Sequence, residues 1–246
     1  MTPASNDDLQ LAVSGLQKRF GGFVALSGVD FQAKRGERIG IIGPNGSGKS
    51  TFVNCLTGAM RHDAGEIRMN GQDIGGLPAH RRAWKGLSRT FQLPRPFGSL
   101  SVAENIYIPL LNCGAMDNGS RDISVRATAA LELVGLADKA DALPKELTQV
   151  ELRKLELAKT IATDPQILVS DEAMAGLSHS EVDEILALLL EINSRGTTVV
   201  MIEHIIRAVM RFSQRLVVFV AGEKIADGDP QAVMAMPEVE RAYLGQ

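Results

Sequence analysis

The stretch Gly43-Pro44-Asn45-Gly46-Ser47-Gly48-Lys49-Ser50-Thr51 constrains the chain most. It fits G-x-x-x-x-G-K-[ST], a loop whose backbone N–H groups wrap nucleotide phosphates. In a chain of ordinary glycine content, a chance match is on the order of one per cent. Ile39-Gly40-Ile41-Ile42 runs into the loop with the apolar, β-branched character of a buried parallel strand. Ser50 to Leu56 then carries apolar residues at helical spacing, so the predicted order is strand, glycine loop, helix. Gly43, Gly46 and Gly48 permit left-handed backbone and close approach to an anion. The helix N-terminus adds orphan N–H groups and partial positive charge. Lys49 is expected to reach the β- and γ-phosphates, and the Ser50 hydroxyl to ligate Mg²⁺.

The 246 residues, 45% of them hydrophobic, suffice for one large α/β domain or a core with a subdomain. A net charge of -3 argues against a general nucleic-acid binder, which would show a basic excess. Cys55 and Cys113 fit no metal spacing, and a reducing cytosol suits them. The polar start, with Asp7-Asp8, does not read as a signal peptide. The longest aliphatic run, Ile185 to Leu190, falls far short of the ~20 residues of a membrane span. The expectation is a soluble protein, or one held at a membrane through a partner.

Leu9, Leu11 and Val13 alternate with polar residues, as do positions Val29 to Ala33, predicting antiparallel strands with one wet face. Between them Phe20 precedes Gly21-Gly22, where its ring can offer a face to a purine base. Glu66 to Met69 predicts a short strand, and Gln92 stands where Ser88-Arg89-Thr90 gives way to Pro94 and Pro96. From about 93 to 163 the apolar spacing is mostly helical. Ile167-Leu168-Val169-Ser170-Asp171-Glu172 reads as a strand ending in an acidic pair. Beside a phosphate loop, Asp171 can organise Mg²⁺ and Glu172 can deprotonate an attacking water. Ser178-x-x-Glu181 makes a capping box for a helix reaching Ser194. Thr198 to Ile202 predicts another strand, ending at Glu203-His204, and Leu216 to Val220 a further one before a turn at Gly222-Glu223-Lys224.

Taken in order, these features resemble the ATP-binding subunit of an ATP-binding-cassette (ABC) transporter over essentially the whole chain. Lys18-Arg19-Phe20-Gly21-Gly22, Arg89-Thr90-Phe91-Gln92-Leu93-Pro94-Arg95-Pro96-Phe97 and Ala242-Tyr243-Leu244-Gly245 are most similar to branched-chain amino acid importer ATPases, in a pattern that lipid-exporter ATPases largely share. The resemblance implies an α/β fold with a P-loop NTPase (RecA-like) core, an antiparallel β subdomain and a helical subdomain at about 93–163, all within one ATP-binding domain spanning 1–246. ATP and Mg²⁺ are the implied ligands, with Gly43, Asn45, Gly46, Ser47, Gly48, Lys49, Ser50 and Thr51 around the phosphates and Phe20 on adenine. Ser50, Gln92 and Asp171 match the family's Mg²⁺-organising groups. Glu172 matches the general base, and His204 matches the switch histidine on the γ-phosphate. Ala175-Gly176-Leu177-Ser178 lies where the family crosses its dimer interface. The implied partners are transmembrane permease subunits and a second ATPase, with no nucleic acid. The implied place is peripheral, on the cytoplasmic side of the inner membrane.

One segment departs from the pattern. Where the family carries Leu-Ser-x-Gly-Gln, which caps the other subunit's nucleotide, this chain reads Leu147-Thr148-Gln149-Val150-Glu151. Val150 replaces a glycine at which backbone must approach phosphate. Glu151 adds a negative charge whose repulsion at ~5 Å and effective ε ≈ 20 is of order 3 kcal/mol per phosphate charge, about a hundredfold in capping. The expectation is therefore a heterodimer with a distinct ATPase that supplies an intact segment. Two other readings are a non-hydrolysing regulatory subunit and a soluble, non-transport ATPase. The second would normally show a coiled-coil insertion or a duplicated cassette.

Overall fold

The computed structural model describes residues 9–91, 93–113 and 120–244. The alternation at the start of the chain builds a hairpin of β1 (Leu9–Phe20) and β2 (Phe23–Lys34), paired antiparallel. β3 (Arg38–Ile42) follows, then the phosphate loop and α1 (Lys49–Leu56). β4 (Ala64–Met69) and β5 (Gln72–Asp73) complete a four-stranded antiparallel sheet in the order β2-β1-β4-β5. α2 (Ala79–Trp84) and β6 (Leu87–Arg89) lead to three helices, α3 (Val102–Asn112), α4 (Ser120–Val134) and α5 (Gln149–Ile161). Then β7 (Ile167–Asp171), α6 (His179–Ser194), β8 (Thr198–Ile202), α7 (Ile206–Phe212) and β9 (Arg215–Val220) alternate, before β10 (Glu223–Gly228), α8 (Pro230–Met234) and α9 (Pro237–Leu244).

The second sheet has the order β10-β9-β3-β8-β7-β6 and is parallel from β9 to β6. Its strands are buried on both faces, so they read as continuous apolar runs rather than alternating ones. Ile39, Ile41, Val200 and Phe219 face the antiparallel sheet and α1, while Leu168, Met201, Leu216 and Val218 face the helices. Phe52 of α1 packs between Phe31 of one sheet and Phe219 of the other, with ring centroids 5.3 and 5.2 Å away. Each such pair adds roughly 0.5–1.5 kcal/mol beyond area burial and pins α1 between the sheets. Register places Ile41 and Asp171 opposite Ile202. The loop after β3 and the residues after β7 and β8 thus meet at the carboxyl edge, where open α/β sheets bind ligands.

One local expectation differs. The turn before β10 is made by Ala221 and Gly222, both at positive φ, and Glu223 and Lys224 already belong to the strand. A two-residue hairpin needs that backbone at its two central positions only. Arg82, unremarkable in the local pattern, is fully buried and donates to the carbonyls of Cys55, Leu56, Leu77 and Gly75. It satisfies the orphan carbonyls at the end of α1.

Candidate nucleotide site

The phosphate loop can only be built from glycine at two of its bends. A Cβ on Gly43 would lie 2.2 Å from the Phe219 carbonyl oxygen, and one on Gly48 would lie 2.7 Å from that of Ala25. Gly48 is the N-cap of α1 and brings no side-chain acceptor, and the first turn holds no acidic residue. The opening N–H groups of α1 are therefore left to an incoming anion. Lys49 is buried, its Nζ donating to the carbonyls of Gly43 (2.7 Å) and Pro44 (3.0 Å) and to Ser47 Oγ (3.3 Å). Burial lowers its pKa, while Glu172 and Asp171 push back upward.

These groups wall a hollow of about 230 Å³ with Phe20, Phe23, Ala25, Asn45 to Thr51, Glu172 and His204. Phe20 and Phe23 stand opposite each other at the end of the β1–β2 hairpin and are both exposed, with Lys18 Nζ 5.6 Å over the Phe20 ring. Phe23 was not singled out in the sequence, although it follows the same glycine pair.

Across the hollow, His204 Nε2 and Glu172 Oε1 are 2.8 Å apart. Glu172 has φ of 47°, a left-handed conformation uncommon outside glycine, and its N–H donates to the Ile202 carbonyl at 2.9 Å. Strained backbone of this kind is concentrated at active sites. Asp171 is buried beneath, with Oδ2 held by Arg89 Nη2 at 2.6 Å, and Arg89 Nη1 donates to Asn54 Oδ1 of α1 at 2.7 Å. The hydroxyl of Ser50 and the carboxylate of Asp171 are oxygen donors, which suits a hard ion such as Mg²⁺. Gln92, the third expected Mg²⁺ group, lies outside the described residues.

Ser170 of β7 is fully buried, and its Oγ makes no hydrogen bond. Glu203 is also buried. Burial pushes its carboxyl up to about 7, against the pull of a hydrogen bond from the Met174 N–H at 2.9 Å.

Leu147 to Glu151 are not among the residues lining the hollow. Thr148 is the N-cap of α5, and its hydroxyl accepts from the Glu151 N–H while Glu151 Oε2 accepts from the Thr148 N–H. Glu151 Oε1 also pairs with Lys139 Nζ at 2.6 Å. Lys139 and the capping bond hold the Glu151 carboxyl below the usual carboxylate range. This corrects the sequence estimate for Glu151. Its charge is not bare, so a repulsion of about 3 kcal/mol per phosphate charge overstates the effect. The helix start is self-capped, and Val150, in the glycine's place, packs against the core.

Residues 26–175 match the family model described as ABC transporter. The chain belongs to the ABC transporter family. Its cassette is similar to the high-affinity branched-chain amino acid transport ATP-binding protein BraF of Pseudomonas aeruginosa, at 38% identity over 96% of this chain and 98% of that protein. The Escherichia coli protein of the same description, LivG, is 36% identical over the same shares. A nucleotide-free ATP-binding cassette from an ABC transporter superposes with a TM-score of 0.87 at 30% identity, covering 97% of this chain and 100% of that one. A cassette in its ADP conformation gives the same TM-score at 29% identity, over 97% and 99%. As a cassette of this family, the chain is an ATPase subunit coupled to transport. No helix among the described residues is long and apolar enough to cross a membrane.

Proposed function

We propose that the chain hydrolyses ATP to drive branched-chain amino acid import, as one of two non-identical ATPase subunits held by transmembrane permeases at the cytoplasmic face of the inner membrane. The observation that carries the hydrolytic role is the Glu172–His204 pair at 2.8 Å, facing Lys49 and the phosphate loop across one hollow. The substrate class rests on the near full-length similarity to BraF and LivG.

In this reading the loop from Gly43 to Thr51 and the start of α1 hold the phosphates, and Phe20 offers its ring to adenine. Lys49 leaves its loop carbonyls for the β- and γ-phosphate oxygens and offsets their developing charge. Glu172 accepts the proton of the attacking water, oriented by His204, which also contacts the γ-phosphate. Ser50, Asp171 and Gln92 would hold Mg²⁺, which would supply charge neutralisation to the phosphates.

An apolar groove of about 330 Å³ lies beside α2 and α3, lined by Ala83, Leu87, Phe91 and Pro109 among others. It is the proposed seat of a permease segment. Arg89 lines the same groove and grips Asp171, so movement there reaches the Mg²⁺ carboxylate directly. The second ATPase is called for by Leu147 to Glu151, because a copy of this chain would present Val150 and a self-capped helix to the nucleotide held by Lys49.

The test is uptake into vesicles carrying the co-purified complex and its binding protein. ATP inside should drive accumulation of leucine, isoleucine and valine. Vigorous ATP hydrolysis with no uptake of these three would reject the substrate class and leave the ATPase role standing.

A further inference from the structure

The residues after the Asp171–Glu172 pair form a turn over 172–177, closed by the Ala175 N–H on the Glu172 carbonyl and the Leu177 N–H on that of Met174. Two buried ionic side chains grip neighbouring peptide groups of this turn. Just past β8, Glu203 Oε1 accepts from the Met174 N–H at 2.9 Å. From α5, Arg153 Nη2 donates to the Ala175 carbonyl at 3.2 Å. Both side chains are at least nine-tenths buried, Arg153 being 4% and Glu203 2% exposed. Burial lowers the Arg153 pKa, and the Glu203 and Glu156 carboxylates push it back up. Burying a guanidinium and a carboxylate is costly unless each is engaged, so their joint placement on two consecutive residues calls for a purpose. Gln149, one helical turn before Arg153, lies against Gly176 of the same turn, 3.2 Å from where a Cβ would stand.

We propose that Arg153 and Glu203 are positioning residues that clamp the 172–177 turn from two sides and so fix Glu172 in its left-handed conformation against His204. Glu203 is the neighbour of His204, so one side of the clamp and the partner of the base come from the same strand end. The other side comes from α5, whose start, on the proposed function above, faces the second subunit's nucleotide. Displacement of α5 then reaches Glu172 through Arg153 and Gln149. The carboxylate that removes the proton is thereby sensitive to the state of the opposite site.

The experiment is a double-mutant cycle of Arg153→Met and Glu203→Gln in the complete complex, read in two ways. Amide exchange over 172–177 reports the clamp without any turnover and should accelerate at least about tenfold in each variant. Turnover should fall about ten- to a hundredfold with KM and the affinity for TNP-ATP unchanged. The double variant should be no slower than the slower single one, because both changes release one turn. Arg153→Lys, which keeps the charge and a donor, should recover part of the rate and guards against misfolding of the Met variant. Unchanged exchange, additive losses, or loss of nucleotide affinity alone would overturn the clamp. A wild-type complex without Lys49-dependent turnover would instead reject the ATPase reading, while exchange would still decide on the clamp.

Discussion

Replacing Glu172 with glutamine is expected to slow ATP turnover of the assembled complex by about 10²–10³-fold while ATP still binds. That loss corresponds to about 3–4 kcal/mol of transition-state stabilisation. Glutamine has the shape of glutamate and its carbonyl oxygen can still meet His204 Nε2, so the 2.8 Å contact should persist. What disappears is the capacity to take a proton from water. The binding hollow is otherwise untouched, because Phe20, Asn45 to Thr51 and His204 are all in place. Phosphate release and ATP retention, measured on the same preparation, separate the two effects. Unchanged turnover would move this chain to the class of non-hydrolysing regulatory subunits.

The second large effect is expected at Lys49. Lys49→Ala should weaken ATP binding by about ten- to a hundredfold, the scale of a hydrogen bond to a charged group, and should abolish measurable hydrolysis. The ammonium is buried and satisfied by Gly43 O, Pro44 O and Ser47 Oγ, so it is held within the loop before any phosphate arrives. Alanine removes that internal brace as well as the contact with the phosphates. Equilibrium titration with ATP is the check. Retention of wild-type affinity and rate would mean that phosphate is bound elsewhere.

The parts of this site that could be read from sequence are those encoded by short-range chemistry. The glycine loop needs three bends and a following helix within nine residues, and β7 announces Asp171 and Glu172 by running apolar into two acids. The capping box at Ser178 and Glu181 fixes the start of α6 for the same reason. What escaped are groups whose roles depend on juxtaposition. Arg89 meets Asp171 from 82 residues away, and Arg153 reaches Ala175 from another helix. Glu151 looked like a bare charge until folding brought Lys139 beside it. Nothing in the local pattern distinguishes these side chains from solvated surface charges. The left-handed φ of Glu172 is equally invisible, since it is imposed by the Ile202 carbonyl and the turn that follows.

The most direct measurement is the mass of the purified Glu172→Gln chain by light scattering, with and without ATP, alone and after adding the ATPase that co-purifies with it. Slowed hydrolysis should hold any ATP-bound dimer together. Because α5 starts with Val150 in the glycine's place and with the Thr148–Glu151 cap, the chain alone should remain a monomer in ATP, and the mixture should form a one-to-one dimer. The wild type should turn ATP over only in the mixture, where hydrolysis lets the dimer come apart. An ATP-dependent dimer of this chain alone, together with full turnover by the wild-type chain alone, would contradict the requirement for a second kind of subunit.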